Sequence, residues 1–314
     1  MPKVSICIPT YNNIAQIKRC MESILQQKFK DYEVIITDDS DNDDIEIYID
    51  QVNLNMEVEK RPLVRYYHNE EKLGPVYNWN KALELAEGEY CKIMFSDDWF
   101  SNPDSLQEFV NMLEEHPGAG MAFSGSSQIT VISDQREWAV SRLDQSSAWD
   151  RAASAEFVDG LRKDYRHLFL GNEIGTPSAT IFRRCDVLFD PRSNWASDMF
   201  LYFDLFVKNP NFVSTEKPLV SVGMHHDQYT YTFKDHDERK FGDYLYMYQK
   251  YNLKDSPECM EYLKNDFLLP YYKPVSLAEE CGISGKTYRT ELLHYIWQHK
   301  VMDYLHAAGK KIRR

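Results

Sequence analysis

The sequence predicts an α/β fold: a mostly parallel sheet flanked by helices, followed by a helical C-terminal region. Three observations carry this prediction. Short apolar runs at residues 4–8, 32–36, 63–67 and 90–95 alternate with stretches of helical periodicity, the pattern of right-handed βαβ units. Three of these runs end in polar, turn-forming clusters: Pro9-Thr10-Tyr11-Asn12, Asp38-Asp39-Ser40 and Ser96-Asp97-Asp98. In an open α/β sheet such strand ends line one ligand crevice. Beyond Asp235 strand signals give way to Tyr and Leu at helical spacing.

Taken in order, Val4 to Ile8 reads as a first strand. Ile14, Ile17, Met21, Ile24 and Leu25 then give one apolar face to a helix over 14–27, with Asn12 or Asn13 as its N-cap. Tyr32 to Ile36 is the second strand, 44–52 a weak helix and 63–67 the third strand. Gly74 precedes a helix over 76–87, and the fourth strand ends at Asp97-Asp98. Pro103 opens a helix over 103–115, and 119–131 reads as a strand. Residues 133–155 show no period and read as a loop. A helix over 154–170 and a glycine-punctuated turn at 171–178 lead into the strand 179–182. A last strand at 219–224 opens into His225-His226-Asp227-Gln228-Tyr229-Thr230.

With 314 residues, 43% hydrophobic and 14% aromatic, the chain can form one catalytic domain with an appended region. Six Cys stand singly in apolar segments without a Cys-x-x-Cys pair, so a disulfide frame or zinc site is not expected. No apolar run reaches the roughly 20 residues of a membrane helix. No signal peptide precedes the first strand, and a reduced, cytoplasmic setting is the expectation. The net charge of −13 argues against a nucleic-acid partner. Residues 37–50 carry seven acids, whereas Lys310-Lys311-Ile312-Arg313-Arg314 is basic.

Adjacent Asp97 and Asp98 at a strand end are costly without a nearby cation, and hard oxygen donors suit Mg²⁺ or Mn²⁺. The alternative is that they cap the helix that follows at Asn102-Pro103. The sequence has neither Gly-x-Gly-x-x-Gly nor Gly-x-x-x-x-Gly-Lys-Ser/Thr, so a dinucleotide or P-loop reading lacks its phosphate cradle. That favours an acid-held metal as the diphosphate clamp.

The ordered motifs Val-Ser-Ile-Cys-Ile-Pro-Thr-Tyr-Asn, Asp-Asp-Ser-Asp-Asn-Asp, Gly74 with Asn80 and Ala86-Glu87-Gly88-Glu89-Tyr90, and Ser-Asp-Asp-Trp resemble the family 2 inverting glycosyltransferases. The likeness covers residues 3–100 in order and spacing, and later signals extend it to about 230. It implies a GT-A fold over 1–232, with a nucleotide-binding half (1–100) and an acceptor half (101–232), and a helical region over 233–314. It also implies a nucleotide-sugar donor, with a UDP-sugar expected, and a divalent metal.

On that resemblance Pro9, Thr10, Tyr11 and Asn12 line the nucleoside pocket, and Asp39 contacts base or ribose. Asn80 and Asp97 lie on the donor side, and Asp98 is the metal ligand. The family's Arg-Asn pair reads Trp79-Asn80 here, so Lys81, Lys72 or Arg65 would have to supply the missing charge. Asp198, opening a helix, maps to the catalytic base, with Asp204 and then Glu173 as further candidates. His225 or His226 would complete the metal shell or meet phosphate, His225 having the better spacing to Thr230.

An inverting transfer needs one carboxylate to take the acceptor proton and a metal to stabilise the leaving diphosphate. The expected activity is thus transfer of a sugar to a glycan or lipid-linked acceptor in surface polysaccharide biosynthesis. The basic C-terminus would permit peripheral attachment to the inner face of the cell membrane. A catalytically silent nucleotide- or carbohydrate-binding module on the same fold is the alternative. A nucleotidyltransferase would carry a Gly-rich loop with Arg or Lys near the N-terminus, which residues 9–15 lack.

Overall fold

A computed structural model describes residues 1–55, 63–133, 141–225, 233 and 237–312. The chain divides into two compact units. The first comprises Met1–Leu168, Asn172–Ser193 and Ser197–Thr232, the second Phe169–Gly171, Asn194–Ala196 and Phe233–Arg314.

In the first unit β1 (Val4–Thr10), β2 (Tyr32–Asp38), β3 (Leu63–His68) and β4 (Tyr90–Ile93) alternate with α1 (Ile14–Leu25), α2 (Asp44–Asn55) and α3 (Pro75–Glu84). The order β3-β2-β1-β4 is parallel throughout. Every residue of β1 and β2 is buried, as expected of parallel strands covered on both faces. Register matters here. Thr10 lies level with Asp38, and Asp38 with His68, so the polar strand ends fall at one edge. Gly88 is required where β4 meets β1, because a Cβ there would sit 2.6 Å from the Ser5 nitrogen.

Beyond β4 the sheet becomes mixed. It continues with β5 (Trp99–Phe100), β6 (Met121–Ser133), β7 (Ser141–Arg151), β8 (Thr180–Arg183) and β9 (Phe212–Met224), in the order β4-β8-β6-β9-β5 with β7 on β6. The contacts β4–β8, β8–β6, β6–β7 and β9–β5 are antiparallel, and β6–β9 is parallel. Helices α4 (Ser105–Glu114), α5 (Ala155–Lys163) and α6 (Ser197–Lys208) complete the unit. One apolar core runs from Ile6, Ile17 and Val34 through Met94, Phe109 and Leu113 to Ile181 and Val220.

Two readings are corrected. Residues 141–151 are a strand, not loop; exposed Ser146 to Arg151 give no apolar alternation to read. Residues 134–140 lie outside the described set. Strand β9 begins at Phe212, seven residues earlier than its apolar run, because Glu216-Lys217-Pro218 interrupts the pattern.

The second unit contains α7 (Glu238–Lys250), α8 (Pro257–Tyr262), α9 (Val275–Glu280) and α10 (Gly285–Ile312). Its core is aromatic: Tyr244 stacks on Phe267 at 3.9 Å, and Phe169 packs against Tyr244, Tyr248 and Tyr262. The Asp243 carboxylate accepts the backbone N–H groups of Asn194, Trp195 and Ala196. Among the described residues no helix is long and apolar enough to cross a membrane. Arg313 and Arg314 of the basic terminus lie outside them.

Candidate active site

The ends of β1 and β2 build one wall. Thr10 is buried, and its Oγ1 has no hydrogen-bond partner among the described residues. Pro9 is buried beside it, whereas Tyr11 is exposed. Asn12, with φ of 52°, ties the strand ends together. Its Nδ2 donates to Asp41 Oδ2 at 2.9 Å, its Oδ1 accepts from Asp41 N at 2.9 Å, and its own N–H donates to Ser40 Oγ. Lys72 lies 2.6 Å from Asp41 and 4.8 Å from the Tyr11 ring centroid.

Asp39 is buried and busy. Its Oδ1 accepts from Asn69 Nδ2 at 2.6 Å and Leu73 N at 3.2 Å, and its Oδ2 from Gly74 N at 2.9 Å. The expected base or ribose contact thus falls on a carboxylate that already shapes the entry to α3. Asn80 is likewise taken: its Nδ2 donates to Phe189 O at 2.9 Å while its Oδ1 accepts from Phe189 N at 2.8 Å. Both ends of the Asn80 amide are thus engaged by the Phe189 backbone. The buried amide that reaches the strand ends is Asn78, donating to Thr10 O and Thr37 O. Trp79 packs between Phe95 and Phe189.

Of the three cations considered for the missing charge, Arg65 is committed to Glu33, Glu87 and Leu85 O. Lys81 donates to Asn69 Oδ1. Lys72, at the strand ends, is the one placed beside the predicted pocket.

Asp97 and His225 come together, and Asp98 is the next residue in the chain after Asp97. His225 Nε2 lies 3.1 Å from Asp97 Oδ2 and 3.0 Å from Gln16 Nε2 of α1. A protonated Nε2 donates to Asp97; an unprotonated one accepts from Gln16. His226 and the run to Thr230 lie outside the described residues. Asp98 is only 2% exposed. It accepts from Gly223 N at 3.3 Å and Thr176 Oγ1 at 3.4 Å, long bonds for a buried carboxylate, and from the Ser178 hydroxyl. Burial and then the Asp97 charge push its carboxyl well above the ordinary range. Gly223 has to be glycine, since a Cβ there would meet Asp97 O at 2.5 Å.

Lys92 was not legible as a site residue inside an apolar run. Fully buried, its Nζ donates to Ile93 O at 3.0 Å and to Ser178 O, and lies 4.8 Å from the Phe109 ring centroid. Burial lowers its pKa to about 7, against the attraction of Asp98. Ser178 Oγ in turn accepts the Phe95 N–H. Arg19 of α1, with its guanidinium 4.9 Å from the Trp99 ring centroid, adds positive charge toward Asp97.

Among the described residues no three His, Cys, Asp or Glu side chains converge as a metal cage. Asp97 and Asp98 are hard oxygen donors of the kind that Mg²⁺ and Mn²⁺ take one or two at a time, water and donor oxygens completing the shell. A divalent charge would also relieve the repulsion that Asp98 bears.

Asp198 is half-buried at the start of α6. Its Oδ1 accepts from Met199 N at 2.8 Å and its Oδ2 from Asn172 Nδ2 at 2.6 Å. Burial pushes its carboxyl up to about 6, opposed by these donors and by Arg151. Asp204 lies further along the same helix, and Glu173 accepts the Ser154 N–H. Asn172 on Asp198, and Thr176 and Ser178 on Asp98, belong to one short loop. Four residues from Asn172 to Thr176 span at most about 14 Å.

A family model described as "Glycosyl transferase family 2" matches residues 5–184. An uncharacterized protein of Mycobacterium tuberculosis is 33% identical over 184 residues, covering 58% of this chain and 54% of its own. The GalNAc(5)-diNAcBac-PP-undecaprenol beta-1,3-glucosyltransferase of Campylobacter jejuni is 34% identical over 99 residues, 31% of this chain and 30% of its own. The chain thus spans about half of the first relative and under a third of the second. Among solved structures, S. aureus TarS 1–349 in complex with UDP-GlcNAc superposes with a TM-score of 0.55 at 17% identity, covering 88% and 82% of the two chains. The mannosyltransferase PcManGT from Pyrobaculum calidifontis, in complex with GDP-Man and Mn²⁺, gives 0.53 at 16% identity, covering 99% and 80%. Those two share the fold.

Proposed function

The chain belongs to glycosyl transferase family 2, and from that premise we propose that it is an inverting, metal-dependent transferase. It moves a sugar from a nucleotide-diphosphate donor, a UDP-sugar, to a glycan or lipid-linked acceptor in surface polysaccharide assembly. The carrying observation is the loop Asn172–Ser178, which holds Asp198 from one end and Asp98 from the other. An in-line displacement needs that pairing: an acid at the diphosphate and a base on the acceptor side. UDP-GlcNAc in TarS and the lipid-linked acceptor in the Campylobacter relative's name support the substrate classes. Mn²⁺ beside GDP-Man in PcManGT supports the metal.

Thr10, whose hydroxyl has no partner among the described residues, and the exposed Tyr11 ring receive the nucleoside. Asp98 with Asp97 and His225 would hold the divalent ion. When bound, that ion supplies positive charge to the leaving diphosphate. Asp198 takes the proton of the acceptor hydroxyl; with a carboxyl raised to about 6, it is ionised at neutral pH yet basic enough to serve.

The test has two parts. Calorimetric titration with UDP and with GDP, each with and without Mn²⁺, should show metal-dependent binding, tighter for UDP. A panel of UDP- and GDP-sugars should then show slow hydrolysis of one donor. Absence of binding to any nucleoside diphosphate would sink the transferase reading. Binding without hydrolysis or transfer would leave the silent binding module.

A further inference from the structure

We propose that Asn172 is the positioning residue of Asp198: its side-chain amide, locked by Gly175, fixes the orientation from which that carboxylate accepts a proton. The proposal rests on the reading of Asp198 as the base. Asn172 Oδ1 accepts the Gly175 N–H at 3.0 Å, which decides which end of the amide faces which neighbour. The Nδ2 group must then face the other way, and it donates to Asp198 Oδ2 at 2.6 Å and to Gly175 O at 3.1 Å.

The loop is held from two further elements. Arg151 of β7 donates through Nη2 to Asn172 O at 2.6 Å, and Tyr202 of α6 donates to Gly175 O at 3.0 Å. Asp198 Oδ1 is fixed by the Met199 N–H. Its own backbone N–H is the third protein donor to the carboxylate, and two oxygens with about four acceptor positions keep room for an acceptor hydroxyl. The groups that bear on Asp198 electrostatically are Arg151 from β7 and Tyr202 from its own helix. The amide N–H favours the ionised form, in opposition to burial.

Two variants separate positioning from loop structure. Asn172→Asp keeps an oxygen acceptor for the Gly175 N–H but turns an oxygen, not an N–H, toward Asp198. Asn172→Ala removes all three side-chain hydrogen bonds. The readout is carboxyl ¹³C NMR of Asp-labelled full-length protein, the Asp198 signal being assigned by its loss in Asp198→Asn. Asp198 should titrate near pH 6 in the parent, about one pH unit higher in Asn172→Ala, and higher still in Asn172→Asp.

Hydrolysis of the donor found in the panel should fall about tenfold at neutral pH in Asn172→Asp, with KM for donor unchanged. Identical Asp198 titration in parent and both variants would overturn the proposal. If instead Asp198→Asn hydrolysed donor as fast as the parent, the base assignment itself would fail while the titration still reported on the Asn172 contact.

Discussion

Asp39 and Asp98 follow β2 and β4, the parallel strands on either side of β1, and both are buried, at 5% and 2% exposure. Their surroundings differ. Asp39 takes three donors, the shortest at 2.6 Å, and with them fixes the turn into α3. Asp98 accepts from Gly223 N at 3.3 Å, Thr176 Oγ1 at 3.4 Å and the Ser178 hydroxyl, beside an adjacent like charge and with a buried lysine nearby. A carboxylate whose lone pairs meet short donors is part of the scaffold. One left loosely bonded and repelled is set to receive a cation. Sequence position alone does not distinguish them.

The largest effects would come from exchanging the charge at each position. Asp98→Asn should weaken Mn²⁺-dependent UDP binding by at least about 100-fold, measured by calorimetry, while leaving the unliganded melting temperature unchanged or raised, because a desolvated carboxyl beside Asp97 is replaced by an amide that never has to ionise there. Asp39→Asn should do the reverse to stability, costing about 3 kcal/mol in urea denaturation, since the amide keeps one oxygen but turns an N–H toward donors that the other oxygen had satisfied. Equal destabilisation by the two changes would erase the contrast.

Next in size is Asp198→Asn, expected to lower transfer by roughly 10²–10⁴-fold with UDP affinity kept. The sign of its pH dependence follows from the raised carboxyl. The base works ionised, so the rate should be level above about pH 6 and fall tenfold per unit below it. A rate that stayed level well below pH 6 would exclude Asp198 as that base.

A smaller effect should come from Lys92→Met. It removes the buried ammonium that holds Ser178 O and offsets the Asp98 charge, so Mn²⁺-dependent UDP binding should weaken about tenfold. Unchanged binding, with the fold verified by circular dichroism, would reduce Lys92 to packing.

The first half of the molecule was legible because its signals are local. Apolar runs of both-face-buried strands, the Ile14–Leu25 periodicity and the Gly74–Pro75 helix start are all written in adjacent residues. Strand β7 and the first half of β9 were not. Their side chains are polar and partly exposed, so pairing with β6 rather than apolar alternation makes them strands. The site divided in the same way. Asp97, Asp98, Asp198 and His225 could be picked out along the chain; Asn172, Thr176, Ser178, Gln16 and Lys92 could not, because each acts on a partner far away in sequence.

By itself the sequence determined the parallel βαβ half, the polar strand ends and the residue types able to hold a metal and take a proton. These depend on hydrophobic period and on the chemistry of single side chains. Only the tertiary structure decided that Asp39 and Asn80 are occupied by backbone, that Asp98 rests near a buried lysine, and that one loop touches both Asp98 and Asp198. Burial and hydrogen-bond satisfaction are set by what packs alongside, and neither can be read from a residue and its neighbours in the chain.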